Sequence, residues 1–173
     1  NIDNMLLNLK EKLNIKFTYI GNLPTGFSFK KTKHLKPISG RKLGLELSKH
    51  HIYLSASINE PAGMHHIEGA LCGMPLVYRE SGALPEYCKD YGVGFKGNDY
   101  LPALKQIIEN YPEYKEKVLS YPYDSKKMTD EYFQLFEELL RNRKLIVNER
   151  SLLKYPLVLV GNLLFMFLKL RNV

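Results

Sequence analysis

Short apolar runs alternate with helix-period stretches along most of the chain. Residues 2–13 carry Leu6, Leu9 and Leu13 at helical spacing behind Asp3, a candidate cap. Residues 15–20 form an apolar run with strand character, closed by the turn signals of Gly21-Asn22-Leu23-Pro24. Residues 27–38 are basic and irregular, with room for one short strand. Ser39 is a candidate cap for a helix over 40–49, with Leu43, Leu45 and Leu47 giving it a buried side. His50 and His51 follow, placed to close that helix where a cation is favoured. A strand over 52–56 comes next, then a loop and a helix entered at Pro61 and stopped at Gly73. In that helix Met64, Ile67 and Leu71 fall at i, i+3 and i+7 and are expected to face the sheet. Residues 75–78 read as a buried parallel strand and 92–96 as a short last one. Helices are predicted over 101–111, 114–120 and 126–142, the last capped by Asp124 or Ser125.

This order, strand, helix, strand, is that of a parallel sheet with helices on its faces. Ligands of such sheets sit outside the carboxyl ends of the strands. Two stretches fall there: Asn59–Gly73, NEPAGMHHIEGALCG, and the run from Arg79 to Glu86. Glu60 is expected at the loop–helix junction and Glu68 in the third helical turn, about 12 Å further along the axis. The backbone N–H groups of Gly63 and Met64, at the expected helix start, could meet a phosphate or hydroxyl between the acids. Two glutamates eight apart are also what a surface pair with a helix salt bridge would give. His65 and His66 point about 100° apart, which argues against both holding one metal ion. No H-E-x-x-H zinc pattern is present. Each histidine is read as a surface or partly packed residue, with a ligand contact conceivable for His65.

The spacing E-x7-E, followed by A-L-C-G-M-P-L-V and S-G-A-L-P-E, resembles the C-terminal domain of GT-B glycosyltransferases of the group 1 (family 4) type, over about residues 15–96. The resemblance implies an α/β fold. It would be a Rossmann-like parallel sheet with helices on both faces, the C-terminal half of a GT-B fold, followed here by an apolar C-terminal helix. It implies transfer of a sugar from a UDP- or GDP-linked donor to a glycan or lipid acceptor, with retention of configuration and without a metal or other cofactor. By the same resemblance Glu60 is the catalytic-site acid at the sugar hydroxyls, and Glu68 grips the ribose. Ser81 and Gly82 stand where the family's G-G-x-P-E loop approaches the donor. Gly21 and Asn22 stand beside the base, although Gly-Asn and Leu-Pro are turn signals in their own right. The family commonly has Phe where Ala62 stands, which leaves the shape of the sugar pocket open. An acceptor-binding N-terminal domain and the opening strand or strands are expected upstream, so that the chain reads as a piece of something longer.

Composition changes this picture only at the edges. The hydrophobic fraction of 45% and charged fraction of 25% are those of an ordinary globular domain. Two cysteines, Cys72 and Cys88, in an α/β pattern suggest buried thiols in a reducing compartment, hence a cytoplasmic protein. The net charge of +7 suits an anionic donor or lipid, or simply a solvated surface. Nucleic acid is not expected as a partner, because the lysines are not interleaved with aromatics and no zinc-finger or RNA-binding signature appears. The lysines of 27–38 fit a solvated loop or a phosphate contact. Domain boundaries are set at 1–148 for the nucleotide-sugar domain and 149–173 for the tail. Residues 155–168, YPLVLVGNLLFMFL, are too few to span a bilayer, which takes about 20 apolar residues. They suit a helix packed on another domain, an interfacial helix on the inner face of a membrane, or a truncated span. A non-catalytic nucleotide- or sugar-binding remnant, a membrane-surface module and a sugar-nucleotide epimerase stand as alternative functions.

Overall fold

The computed structural model describes residues 15–61, 63–149 and 160. The expected helix over 2–13 lies outside the described residues, as does the apolar tail over 155–168 except for Val160. The chain divides into two compact units, Asn1–Tyr123 and Asp124–Val173.

In the first unit β1 (Thr18–Ile20) pairs in parallel with β2 (Lys33–Leu35), Tyr19 opposite His34. Helix α1 (Gly40–Leu47) leads to β3 (Tyr53–Ser55), then α2 (His65–Leu71), β4 (Leu76–Arg79), α3 (Leu84–Cys88) and β5 (Gly92–Phe95). The strands β3, β4 and β5 form one parallel sheet in that order, with Leu54 opposite Val77 and Val77 opposite Val93. Helices α4 (Leu101–Glu109) and α5 (Tyr111–Leu119) complete the unit. This is mixed α/β architecture with parallel sheets flanked by helices, as the alternating pattern predicts.

Strand β4 is buried on both faces because its neighbours in sequence alternate. Leu76 and Tyr78 pack with Ala70, Leu84, Cys88, Val118 and Tyr121 on one side. Val77 packs with Phe95, Tyr100, Ala103 and Ile107 on the other. A chain of ring contacts borders the first cluster, from Tyr87 through Tyr123 and Tyr121 to Tyr91.

Some expectations need correction. Helix α1 turns Leu47 inward and leaves Leu45 exposed, because residues two apart point to opposite sides of a helix. Ser39 holds the N-cap position, yet its side chain makes no cap hydrogen bond. The ring of His50 does close α1, its Nδ1 lying 2.9 Å from the Glu46 carbonyl. The larger correction concerns α2, which begins at His65 and not at Pro61. Its end matches the sequence reading: Gly73 at φ +74 lets its own N–H reach Ala70 O, and Met74 N–H reaches Gly69 O at 3.2 Å. That pair of bonds is a Schellman stop.

The second unit holds α6 (Ser125–Arg141) and α7 (Arg143–Glu149). Of the two candidate caps it is Asp124 that acts, accepting the Lys127 N–H at 2.7 Å. The apolar stripe of α6, including Tyr132, Leu135, Phe136 and Leu139, is exposed. Among the described residues no helix is long and apolar enough to cross a membrane.

Candidate functional site

The carboxyl ends of β3 and β4 carry the two loops that sequence analysis singled out, and these loops hold each other. The Asn59 N–H donates to Ser81 Oγ at 2.8 Å, and the Ser81 hydroxyl donates to Asn59 Oδ1 at 3.3 Å. The Ala83 N–H donates to the Glu60 carbonyl at 2.8 Å. Between them Gly82 sits at φ +60, where a Cβ would stand 2.3 Å from the Glu60 carbonyl oxygen. Only glycine meets both demands, the left-handed backbone and the close approach. Asn59 itself adopts φ +52, a conformation asparagine tolerates better than most residues.

This clamp explains the late start of α2. A proline favours a helix start by local geometry. Here the backbone of Asn59 and Glu60 is tied to a loop more than twenty residues away, and helical bonding begins only with Glu68 N–H to Met64 O. Glu68 therefore lies in the first turn of α2 and not the third, and the expected axial separation of the acids does not apply. Gly63 lies outside the helix, against the Glu60 side chain, where a Cβ would be 2.8 Å from the carboxyl carbon. Met64 precedes the helix and is exposed. The two therefore do not form the N–H cradle at a helix start that the sequence suggested. The inward face is also different from the one expected. Leu71 is exposed like Met64; Ile67 does pack, half-buried, against the first core cluster, as expected, and the buried residues are His66, Gly69 and Ala70. Gly69 brings α2 so close to β3 that a Cβ there would stand 2.5 Å from the Tyr53 ring.

At the outer side of this contact lies His65, half-buried. Its ring stacks on Tyr53 at 6.0 Å between centroids. Its Nδ1 lies 3.3 Å from the Tyr53 hydroxyl. Its Nε2 lies 3.4 Å from Ser57 Oγ and 4.0 Å from Glu60 Oε2. Burial lowers the pKa of His65, while the charges of Glu60 and then Glu68 pull it back up. Burial, and then the Glu68 charge, raise the pKa of Tyr53, so its hydroxyl stays protonated. The charges of both acids thus act on one imidazole. This is not a Ser-His-acid relay, because Ser57 and Glu60 address the same ring nitrogen, and a relay needs them on opposite ones. The strand period held a clue to these partners, since Tyr53, Ser55 and Ser57 alternate onto one face.

His66, next in sequence, is 1% exposed, and neither of its ring nitrogens is hydrogen-bonded among the described residues. Burial, and then the neighbouring His65, push its pKa down to about 4. Arg79, at the end of β4, donates to Asn98 Oδ1 at 2.8 Å, and Lys96 pairs with Glu80 at 3.5 Å.

Gly21 and Asn22 belong to a different setting. Gly21 bonds Leu35 through its N–H and His34 Nε2 through its carbonyl, and the Asn22 carbonyl accepts from the Tyr19 hydroxyl. Their contacts run to the β1–β2 pair. A hollow of about 790 Å3 opens between Phe17 and Thr18 on one side and Ile52, Leu54 and Tyr100 on the other. None of the candidate site residues lines it. Among the described residues no group of three or more His, Cys, Asp or Glu could hold a metal ion. Set against known proteins, the chain matches no family model, and no curated protein is significantly similar to it.

Proposed function

We propose that this chain supplies the donor-binding half of a retaining glycosyltransferase, its parallel strands belonging to a Rossmann-like domain that takes a nucleotide sugar. The observation that carries the reading is the clamp between the Asn59–Glu60 loop and the Ser81–Gly82 loop. It joins the two stretches on which the family resemblance rests, at the strand ends where such sheets bind ligands. Glu60 accepts hydrogen bonds from sugar hydroxyls, and Glu68 holds the ribose. Charged acceptors suit this task, since hydrogen bonds to an ionised group are roughly twice as strong as neutral ones. Transfer passes through an oxocarbenium-like state while negative charge grows on the leaving phosphate. Fixed dipoles and cations around that phosphate lower the barrier. Acceptor binding is assigned to a further domain of the same enzyme.

Titration calorimetry with UDP-glucose, GDP-mannose and the bare diphosphates tests this. Glu68→Ala is expected to abolish binding of both the sugar nucleotide and the bare nucleotide. Glu60→Gln is expected to weaken only the sugar nucleotide, by about tenfold for one charged hydrogen bond. Absence of binding by every nucleotide would overturn the reading.

A further inference from the structure

Both candidate acids act on His65, and its surroundings fix more than its position. The Tyr53 hydroxyl keeps its proton and faces Nδ1 at 3.3 Å. The carboxylate of Glu60 faces Nε2. A bare nitrogen lone pair pointed at a carboxylate is repulsive, whereas an N–H there is attractive. The arrangement of lowest energy therefore has Tyr53 donating to Nδ1 and the ring proton on Nε2, shared between Ser57 Oγ and Glu60 Oε2. At 4.0 Å the Glu60 contact is electrostatic, too long for a hydrogen bond. Loose contacts that tighten around a bound ligand are common in unliganded sites.

We propose that His65 is a positioning residue that aims the Glu60 carboxylate at a sugar hydroxyl from the Nε2-protonated tautomer set by Tyr53, and that mild acid weakens the grip of Glu60 on the sugar. The proposal rests on the donor-binding reading above. One Glu60 oxygen is taken by His65, leaving the other for the sugar. When His65 takes a second proton, Nδ1 can no longer accept from Tyr53, and the imidazolium draws Glu60 into an ion pair in competition with the sugar. The groups facing the ring are Glu60 from the loop, Glu68 and His66 on α2, and Tyr53 on β3 with Ser57 just beyond it. Burial pushes the His66 pKa down to about 4, so its ring stays largely neutral in mild acid.

The test uses the full chain and two measurements. Nitrogen-15 spectra of the histidine rings, taken without ligand, read the tautomer and the titration of His65. An Nε2-protonated ring is expected, with a pKa that falls further in Glu60→Gln because the carboxylate that favours the imidazolium is gone. An Nδ1-protonated ring, or a titration blind to Glu60→Gln, overturns the proposal whatever the ligand results. Calorimetry then compares UDP-glucose and GDP-mannose with UDP and GDP between about pH 5 and pH 8. His65→Phe keeps an aromatic ring on Tyr53 and removes the donor. It is expected to lose about tenfold in sugar-nucleotide affinity, with bare-nucleotide affinity unchanged. His65→Gln returns an N–H near the Nε2 position and is expected to restore most of the loss while flattening the pH dependence. Binding by His65→Phe equal to wild type, with an unaltered pH profile, overturns the proposal and leaves the donor-binding reading standing. Failure of every nucleotide to bind the wild-type chain overturns both.

Discussion

One side of α2 carries His65, whose ring reaches a strand hydroxyl, a loop serine and a loop carboxylate. Around the helix His66 is sealed against the core with Gly69 and Ala70, and its ring nitrogens are bonded to nothing described. The two residues are identical in chemistry and adjacent in sequence. The difference lies in what each meets: His65 has hydrogen-bonding partners, whereas the His66 ring meets only the rings of Tyr87 and of His65 itself among the ring contacts described. A half-buried histidine with partners can direct another group. A fully buried one without partners fills space and makes the fold sensitive to acid. Tyr53 stands between the two sides, touching Gly69 with its ring and His65 with its hydroxyl.

That contrast can be attacked where the sides meet. Gly69→Val places a side chain where Tyr53 stands, and should cost about 3 kcal/mol in urea unfolding by overpacking. It should also shift the His65 ring signals, because Tyr53 has to move. If the His65 signals stay put, the two sides are less coupled than described. Gly82→Ala attacks the clamp alone, forcing a Cβ into a left-handed position against Glu60. It should cost about 2 kcal/mol and weaken sugar-nucleotide binding, while the signals of buried His66 stay in place.

Burial pushes both histidines below the ordinary imidazole value, and for His66 the fall is large. The folded-state pKa of His66, about 4, lies below its ordinary 6.5. Between those values the unfolded chain binds the extra proton, so stability is whole above pH 6.5 and drains away as pH falls towards 4. The part lost between pH 6.5 and pH 5 is about 2 kcal/mol. His66→Phe should remove that slope, at a cost near neutral pH of about 1 kcal/mol or less, because it also deletes two unpaired polar atoms. A slope that survives in His66→Phe would place the acid-sensitive group elsewhere. The smallest effect is expected from Tyr53→Phe, about 1 kcal/mol for the hydrogen bond to His65, with the core side of α2 unmoved.

Local sequence signals carried much of the fold. The alternating apolar runs located the strands β3, β4 and β5, Gly73 marked the end of α2, and Asp124 marked the start of α6. What failed was what depends on distant partners. Pro61 is a fair helix start taken alone, but the bonds from Asn59 and Glu60 to the Ser81–Ala83 turn tie the chain there, and the helix begins only at His65. The inward face of α2 was assigned from its large apolar residues, whereas close packing on Tyr53 is made by the small ones, Gly69 and Ala70. The acids and the Ser-Gly turn were legible as motifs. Their meeting at His65 was not: the strand period puts Tyr53 and Ser57 on one face of the sheet, but nothing local says that α2 packs on that face.

The tyrosine chain has a practical consequence. The protein contains twelve tyrosines and no tryptophan, so its ultraviolet emission is tyrosine emission alone. Tyr87 leans on His66 at 5.4 Å and starts the ring series that runs to Tyr91. Light collected from these rings therefore follows the integrity of the first unit without any added label. Because one end of the series touches the buried imidazole, the same signal doubles as a spectroscopic gauge of the proton that loosens it.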